Sequence, residues 1–134
     1  MTQEDKDLLF KDLCARLPYG VKCVSGVDDA TLIIEGINPN CNGASEVQVT
    51  YERSGINFDT KISSIKPYLF PMSSMTEEQR NEYHNLCSVG IDECGDIVYF
   101  DTYESVEYLN RNMFDYKYLI PKGRANDATG LNIY

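Results

Sequence analysis

Two hydrophobic periods divide this chain, and they meet between Ile65 and Glu78. Over the first eighteen residues Leu9, Phe10, Leu13, Cys14 and Leu17 recur at spacings of one, three and four, the signature of a helix with one apolar face. Thr2 stands where an N-cap belongs, Glu4, Asp5 and Asp7 complement the positive end of the helix dipole, and Pro18 ends the run. That face is expected to pack on the sheet that follows.

From Tyr19 to Leu69 the pattern is that of strands. Val21-Lys22-Cys23-Val24 predicts a first strand, Val27-Asp28-Asp29 a turn, and Thr31-Leu32-Ile33-Ile34-Glu35 a second strand apolar enough to be covered on both faces. The stretch Asn38-Pro39-Asn40-Cys41-Asn42-Gly43 is dense in turn formers, with Asn42-Gly43 suited to positive φ, and predicts a hairpin loop. Val47, Val49 and Tyr51 then alternate with polar residues, as do Ile56, Phe58 and Ile62. A two-residue turn at Ser54-Gly55 would set Tyr51 against Phe58 and Val47 against Ile62, like facing like. Four or five short antiparallel strands of this kind can curl into a small SH3-like barrel.

After Pro67 and Pro71 the helical period returns. Ser74 with Glu77, or Thr76 with Gln79, has capping-box spacing and opens a polar helix to about Cys87, with Met75, Tyr83, Leu86 and Cys87 as its buried stripe. Val89 to Ile91 and Ile97 to Phe100 read as a second hairpin, and Asp101 with Glu104 as the cap of a helix carrying Tyr103, Val106, Leu109 and Met113 on one side. An aromatic tail follows, and its apolar end Gly130-Leu131-Asn132-Ile133-Tyr134 either packs on its own domain or latches onto another chain, as in a homo-oligomer. The expected fold is therefore α+β in one domain, 1–134: a helix over 1–18, a small antiparallel barrel or curled sheet over 19–69, then helix, hairpin, helix and tail over 70–134.

Charge and composition narrow the function. The formal charge is −9, with 12 Lys and Arg against 21 Asp and Glu. A groove tracking a phosphate backbone needs positive potential, so direct nucleic-acid binding is disfavoured. No apolar run is long enough to span a membrane, and Met1-Thr2-Gln3-Glu4-Asp5 lacks the features of a signal peptide, so a cytoplasmic location without membrane contact is expected. Five irregularly spaced cysteines argue against a disulfide framework, and most of them read as small core residues.

Few residues carry the marks of catalysis. His84, Cys87 and Cys94 are the one metal-like grouping, but they lack the paired cysteines of a structural zinc site. A Cys–His nucleophilic pair drawn from the same residues has no accompanying motif. The acids Asp92, Glu93, Asp96, Asp101, Glu104 and Glu107 do not follow an EF-hand pattern, and the glycines form neither a phosphate loop nor a dinucleotide fingerprint. No cofactor is expected. The compositional oddity is aromatic: ten Tyr and five Phe without Trp, with Tyr99, Phe100, Tyr103, Tyr108, Phe114, Tyr116 and Tyr118 inside twenty residues. With Tyr68 and Phe70, the tyrosines Tyr99, Tyr103, Tyr108, Tyr116 and Tyr118 serve either as packing between elements or as a recognition surface for a peptide or flat ligand.

The segments Ile65-Lys66-Pro67-Tyr68-Leu69, Pro71-Met72-Ser73-Ser74-Met75-Thr76-Glu77-Glu78, Asp101-Thr102-Tyr103-Glu104-Ser105, Phe114-Asp115-Tyr116, Leu119-Ile120-Pro121-Lys122-Gly123 and Asp127-Ala128-Thr129-Gly130-Leu131-Asn132-Ile133-Tyr134 resemble a group of small uncharacterised proteins of gut bacteria and their phages and prophages. The resemblance covers roughly the carboxyl-terminal half and the opening helix. It implies a bacterial cytosol and a mobile-element gene, and it brings no catalytic or binding residue. The leading expectation is a non-catalytic binding module for a protein or small ligand. A small metal- or Cys/His-dependent hydrolase and an acidic decoy that mimics nucleic acid are the alternatives.

Overall fold

The computed structural model describes residues 1–26, 28–38 and 46–134. Cys41, the expected Asn42-Gly43 turn and Val27 lie outside the described residues. The architecture is α+β, in the order α1 (Gln3–Arg16), β1 (Lys22–Ser25), β2 (Thr31–Ile37), β3 (Val47–Tyr51), β4 (Asn57–Thr60), β5 (Ile65–Pro71), α2 (Glu77–Leu86), β6 (Ser88–Ile91), β7 (Ile97–Phe100), α3 (Tyr103–Arg111), β8 (Phe114–Asp115) and β9 (Asn126–Asp127). No helix among the described residues is long and apolar enough to cross a membrane.

Among the described residues seven strands form one mixed sheet in the order β4-β3-β2-β1-β5-β8, with β9 also paired to β5. The pairs from β4 to β5 are antiparallel, whereas β8 and β9 run parallel to β5 at Phe70–Pro71 and Tyr68–Leu69. The sheet is not closed into the SH3-like barrel that the strand spacing suggested. Closure would need β4 to meet β5, but β5 pairs instead with β1 and with two short strands from the tail.

Leu9, Phe10 and Leu13 of α1 bury against Val21, Cys23, Leu32, Ile34, Val47, Val49, Ile62, Ile65 and Leu69. Burial pushes the Cys23 thiol up to about 12. Thr2 caps α1 through the Asp5 amide, as its position predicted. Strand β2 is covered on one face rather than both, since Leu32 and Ile34 are buried and Ile33 only half so.

The β3–β4 register differs from expectation by two residues: Val49 faces Phe58 and Val47 faces Thr60. Ser54-Gly55 is not a two-residue turn, because the Gly55 amide bonds back to the Tyr51 carbonyl with φ at 74° and the loop runs over four residues. A shift of two keeps every side chain on its intended face, so Tyr51 and Phe58 still touch, diagonally, at 5.0 Å between ring centroids. Ile62 leaves the strand for a 3₁₀ turn and is fully buried.

Of the two frames offered for the first capping box the later one forms, and the second box moves one residue along the chain. The boxes formed are Thr76 with Gln79 and Thr102 with Ser105. Ser74 sits inside a 3₁₀ turn and donates its hydroxyl to the Pro71 carbonyl, and Asp101 is engaged as an acceptor from Tyr83 and Ser105. A second, smaller core gathers Met75, Tyr108, Leu109 and Phe114, with Tyr83 and Leu86 packed on it. Phe70 packs against both cores.

The tail folds back. Asp115 accepts from the amides of Leu119 and Ile120 at 2.8 and 2.9 Å, which closes the loop after β8. Tyr134 accepts from the Lys22 amide at 2.9 Å and donates to the Tyr68 carbonyl at 2.8 Å, tying the chain end to β1 and β5.

Candidate functional site

The seven aromatic residues singled out from the sequence do not assemble into one surface. Tyr68 and Tyr108 are buried, and Tyr116 lies half-buried with the Arg16 guanidinium 5.3 Å from its ring centre. Tyr99, Tyr103 and Tyr118 are exposed in separate places on the chain, and Phe70 lines a cleft. Tyr103 was expected on the buried side of α3. Leu109 and Met113 are buried as expected, Ser105 and Tyr108 are buried with them, and Tyr103 is exposed.

The cleft has a volume of about 570 Å³ and brings Tyr19, Phe70, Phe114 and Tyr134 together with Arg111 and Asn112. Tyr19 donates to Glu107, which raises its phenol above the ordinary value. Arg111 has no ion-pair partner among the described residues. Rings and a single cation of this kind suit a small flat ligand. Sequence reading missed Tyr19, Tyr134 and Arg111, which lie far apart in the chain and converge only through the returning tail.

Tyrosines buried wholly or in part set a limit on stability at alkaline pH. Burial, helped by the Glu82 carboxylate, pushes Tyr108 up to about 12, and burial raises Tyr83, Tyr116 and Tyr134 as well. Unfolded tyrosine loses its proton near 10. Above that pH the unfolded chain releases protons that the native state retains, so stability is full below about pH 10 and falls as pH rises toward 12. Denaturant midpoints at pH 8, 10 and 11 should therefore decline in that order, and Tyr108→Phe should flatten the decline. A level profile to pH 11 would contradict the burial of these phenols.

The second exposed feature is the β6–β7 hairpin. It forms a sheet of its own, with Val89 opposite Tyr99 and Ile91 opposite Ile97. Exposure is 64% for Val89, 74% for Ile91, 65% for Ile97, 45% for Tyr99 and 58% for Phe100. Large apolar residues this open and this close together are unusual on a soluble surface. The turn is built tightly: the Asp92 amide donates to the Asp96 carbonyl, the Asp92 carboxylate accepts from the amides of Cys94 and Asp96 at 2.9 Å each, and Gly95 takes φ 82°.

The Asp92–Asp96 bond fixes which backbone groups are free. Hydrogen-bonded pairs alternate along an antiparallel ladder, so Gly90–Val98 and Ser88–Phe100 bond inward, and the amides and carbonyls of Val89, Ile91, Ile97 and Tyr99 point out. None of these outward groups has a backbone partner among the described residues.

The base of the hairpin is held firmly. Thr102 donates to the Leu86 carbonyl at 2.6 Å, and Tyr83 donates to Asp101 at 2.5 Å. His84 stacks on Tyr99 with 3.8 Å between ring centres and 4° between planes. His84 is thus a packing partner of the hairpin, and Cys87 lies near the Tyr83 hydroxyl. Among the described residues no group of three or more His, Cys, Asp or Glu could hold a metal ion, so His84, Cys87 and Cys94 are not brought together as ligands.

The hairpin itself was legible, but its exposure was not drawn out. Neither Ser88–Ile91 nor Ile97–Phe100 contains a charged residue, and two strands of four residues cannot cover both of their own apolar faces. Comparison of the chain with protein-family models, with curated proteins and with solved structures gives no match.

Proposed function

We propose that this protein is a non-catalytic binding module that engages another protein through the β6–β7 hairpin. One observation carries the reading: a rigidly based hairpin presents five large exposed apolar side chains and two backbone edges without partners among the described residues. An isolated two-stranded hairpin is marginal in water, and a third strand both stabilises it and covers its edge. The packed base means that little ordering remains to oppose binding. The hydrolase alternative gains no support, since no hydrogen bond joins His84 to a cysteine among the described residues and His84 is stacked on Tyr99.

The acidic-decoy reading has one observation in its favour. Residues 77–107 hold nine acids and a single Arg, a net −8 that accounts for nearly all of the formal charge of −9. The two readings part in one capture experiment. Wild-type protein should retain a specific partner from bacterial lysate, and the double variant Ile91→Asn/Ile97→Asn, altered only at exposed positions, should lose it while keeping the wild-type melting temperature. A partner retained equally by both forms and released by molar salt would sink the hairpin reading in favour of the decoy.

A further inference from the structure

We infer that the occupant of the hairpin is an extended, apolar, strand-forming segment of another protein, flanked on both sides by lysine or arginine, added as a third strand along β7. The inference rests on the reading that the hairpin is the contact site, and it names the chemistry of what binds there.

The choice of edge follows from the residues. Strand β7 is Ile97-Val98-Tyr99-Phe100, four residues of high strand preference, whereas β6 carries Gly90 at its centre, which weakens a ladder. The outward amides and carbonyls of Ile97 and Tyr99 offer up to four main-chain bonds to an incoming strand. On one face the new strand would lie beside Ile97 and Tyr99, and on the other beside Val98 and Phe100, so it needs apolar side chains in both directions.

Charge decides the flanks and disfavours a second copy. A four-residue strand spans about 13 Å, and acids stand at both of its ends: Asp92, Glu93 and Asp96 at the turn, Asp101 and Glu104 beyond Phe100. Self-pairing of β7 that matches its outward groups must centre on Val98, with Ile97 opposite Tyr99 of the other copy. That register runs Asp101 of each copy toward Gly95 and Asp96 of its mate, acid against acid, with a net −8 on each approaching unit. A segment with Lys or Arg on either side of its apolar run meets the same acids with opposite charge.

The test uses three synthetic peptides titrated into the full chain by amide NMR. The first is Lys-Arg-Val-Thr-Ile-Val-Arg-Lys. The second replaces every Lys and Arg by Glu, and the third is the first with alternate amides N-methylated on the edge that would meet β7. The first peptide should shift the amides of residues 88–100 and slow hydrogen exchange at Ile97 and Tyr99. It should bind at least about tenfold more tightly than the second, given several opposed charges of ordinary surface strength. N-methylation should abolish binding.

Equal binding of the methylated peptide would overturn strand addition. Equal binding of the acidic peptide would overturn the basic flanks and leave the contact site standing. Absence of shifts with all three, while lysate capture still depends on Ile91 and Ile97, would refute the occupant and spare the site. Self-association in sedimentation with Ile97 and Tyr99 protected would replace the basic segment by a second copy.

Discussion

Arg16→Ala is expected to lower the unfolding free energy by about 3–5 kcal/mol, the usual cost of leaving one member of a buried ion pair alone. Arg16 and Asp12 are both fully buried, and the guanidinium grips the carboxylate with two prongs, Nε at 2.9 Å and Nη2 at 3.1 Å. The same side chain donates to the Phe114 carbonyl at 2.6 Å and reaches the Leu109 carbonyl at 3.5 Å. One arginine therefore fastens the opening helix to the end of α3 and to β8. Without it Asp12 keeps, among the described residues, only Lys117, 3.9 Å away, and two buried carbonyls lose a donor. The melting temperature should fall by roughly 10–20 °C.

Two further variants guard against a chain that merely fails to fold. Arg16→Lys keeps the charge and loses the fork, so it should lie between wild type and Arg16→Ala. The double variant Asp12→Leu/Arg16→Met removes both charges and should recover much of the loss, because apolar replacement of a buried pair is often neutral or better. An Arg16→Ala protein within 1 kcal/mol of wild type would show that this contact does not fasten the helix.

The Asp12–Arg16 pair marks where local reading stops. Its spacing of four residues is visible in the sequence, but the same spacing on most helices is a solvated surface pair. What buries it is the passage of α3 and β8 over the helix, an arrangement with more than ninety residues between partners. Patterns of period 2 and 3.6 placed α1 and β3 and their buried faces, because each presents enough apolar residues to declare its face; β2 and the β6–β7 hairpin were placed but not their exposure, and the polar α2 was placed by its cap. Strands β8 and β9 gave no such signal, being two residues long and held by pairing to β5. The first capping box was left between two frames and the second fell one residue early, for a related reason. Adjacent Ser, Thr and Asp residues offer several caps of equal local merit, and tertiary contacts at Pro71 and Tyr83 select among them.

For the candidate site the same division holds. The aromatic list was drawn from residue type, and type alone does not separate a buried ring such as Tyr108 from an exposed one such as Tyr103. The aliphatic residues Val89, Ile91 and Ile97 were the more informative ones, since they stand in two four-residue strands that carry no charge and are too short to cover their own apolar faces. The concentration of acids over 77–107 was equally readable. Only when the outward edges are placed beside that charge does a partner chemistry follow.

Leu69→Ala should cost about 2–5 kcal/mol, the range for truncating a buried leucine where neighbours close in only partly. Leu69 is fully buried in the first core, and its carbonyl accepts from the Ala128 amide at 2.8 Å. Its neighbour Phe70 donates its amide to the Met113 carbonyl at 2.8 Å and sets its ring 6.3 Å from Phe114 and 6.1 Å from Tyr134. Strand β5 thus joins the sheet to the tail through the backbone of Leu69, and to the helical half through both the backbone and the ring of Phe70. Phe70→Ala, at a half-buried position touching both cores, should cost less, about 2 kcal/mol. Its distinguishing effect should be regional: hydrogen exchange should quicken first across α2, the β6–β7 hairpin and α3, with the α1–sheet core following only at higher denaturant. If Leu69→Ala and Phe70→Ala both left the melting temperature unchanged, β5 would not be what holds the two halves together.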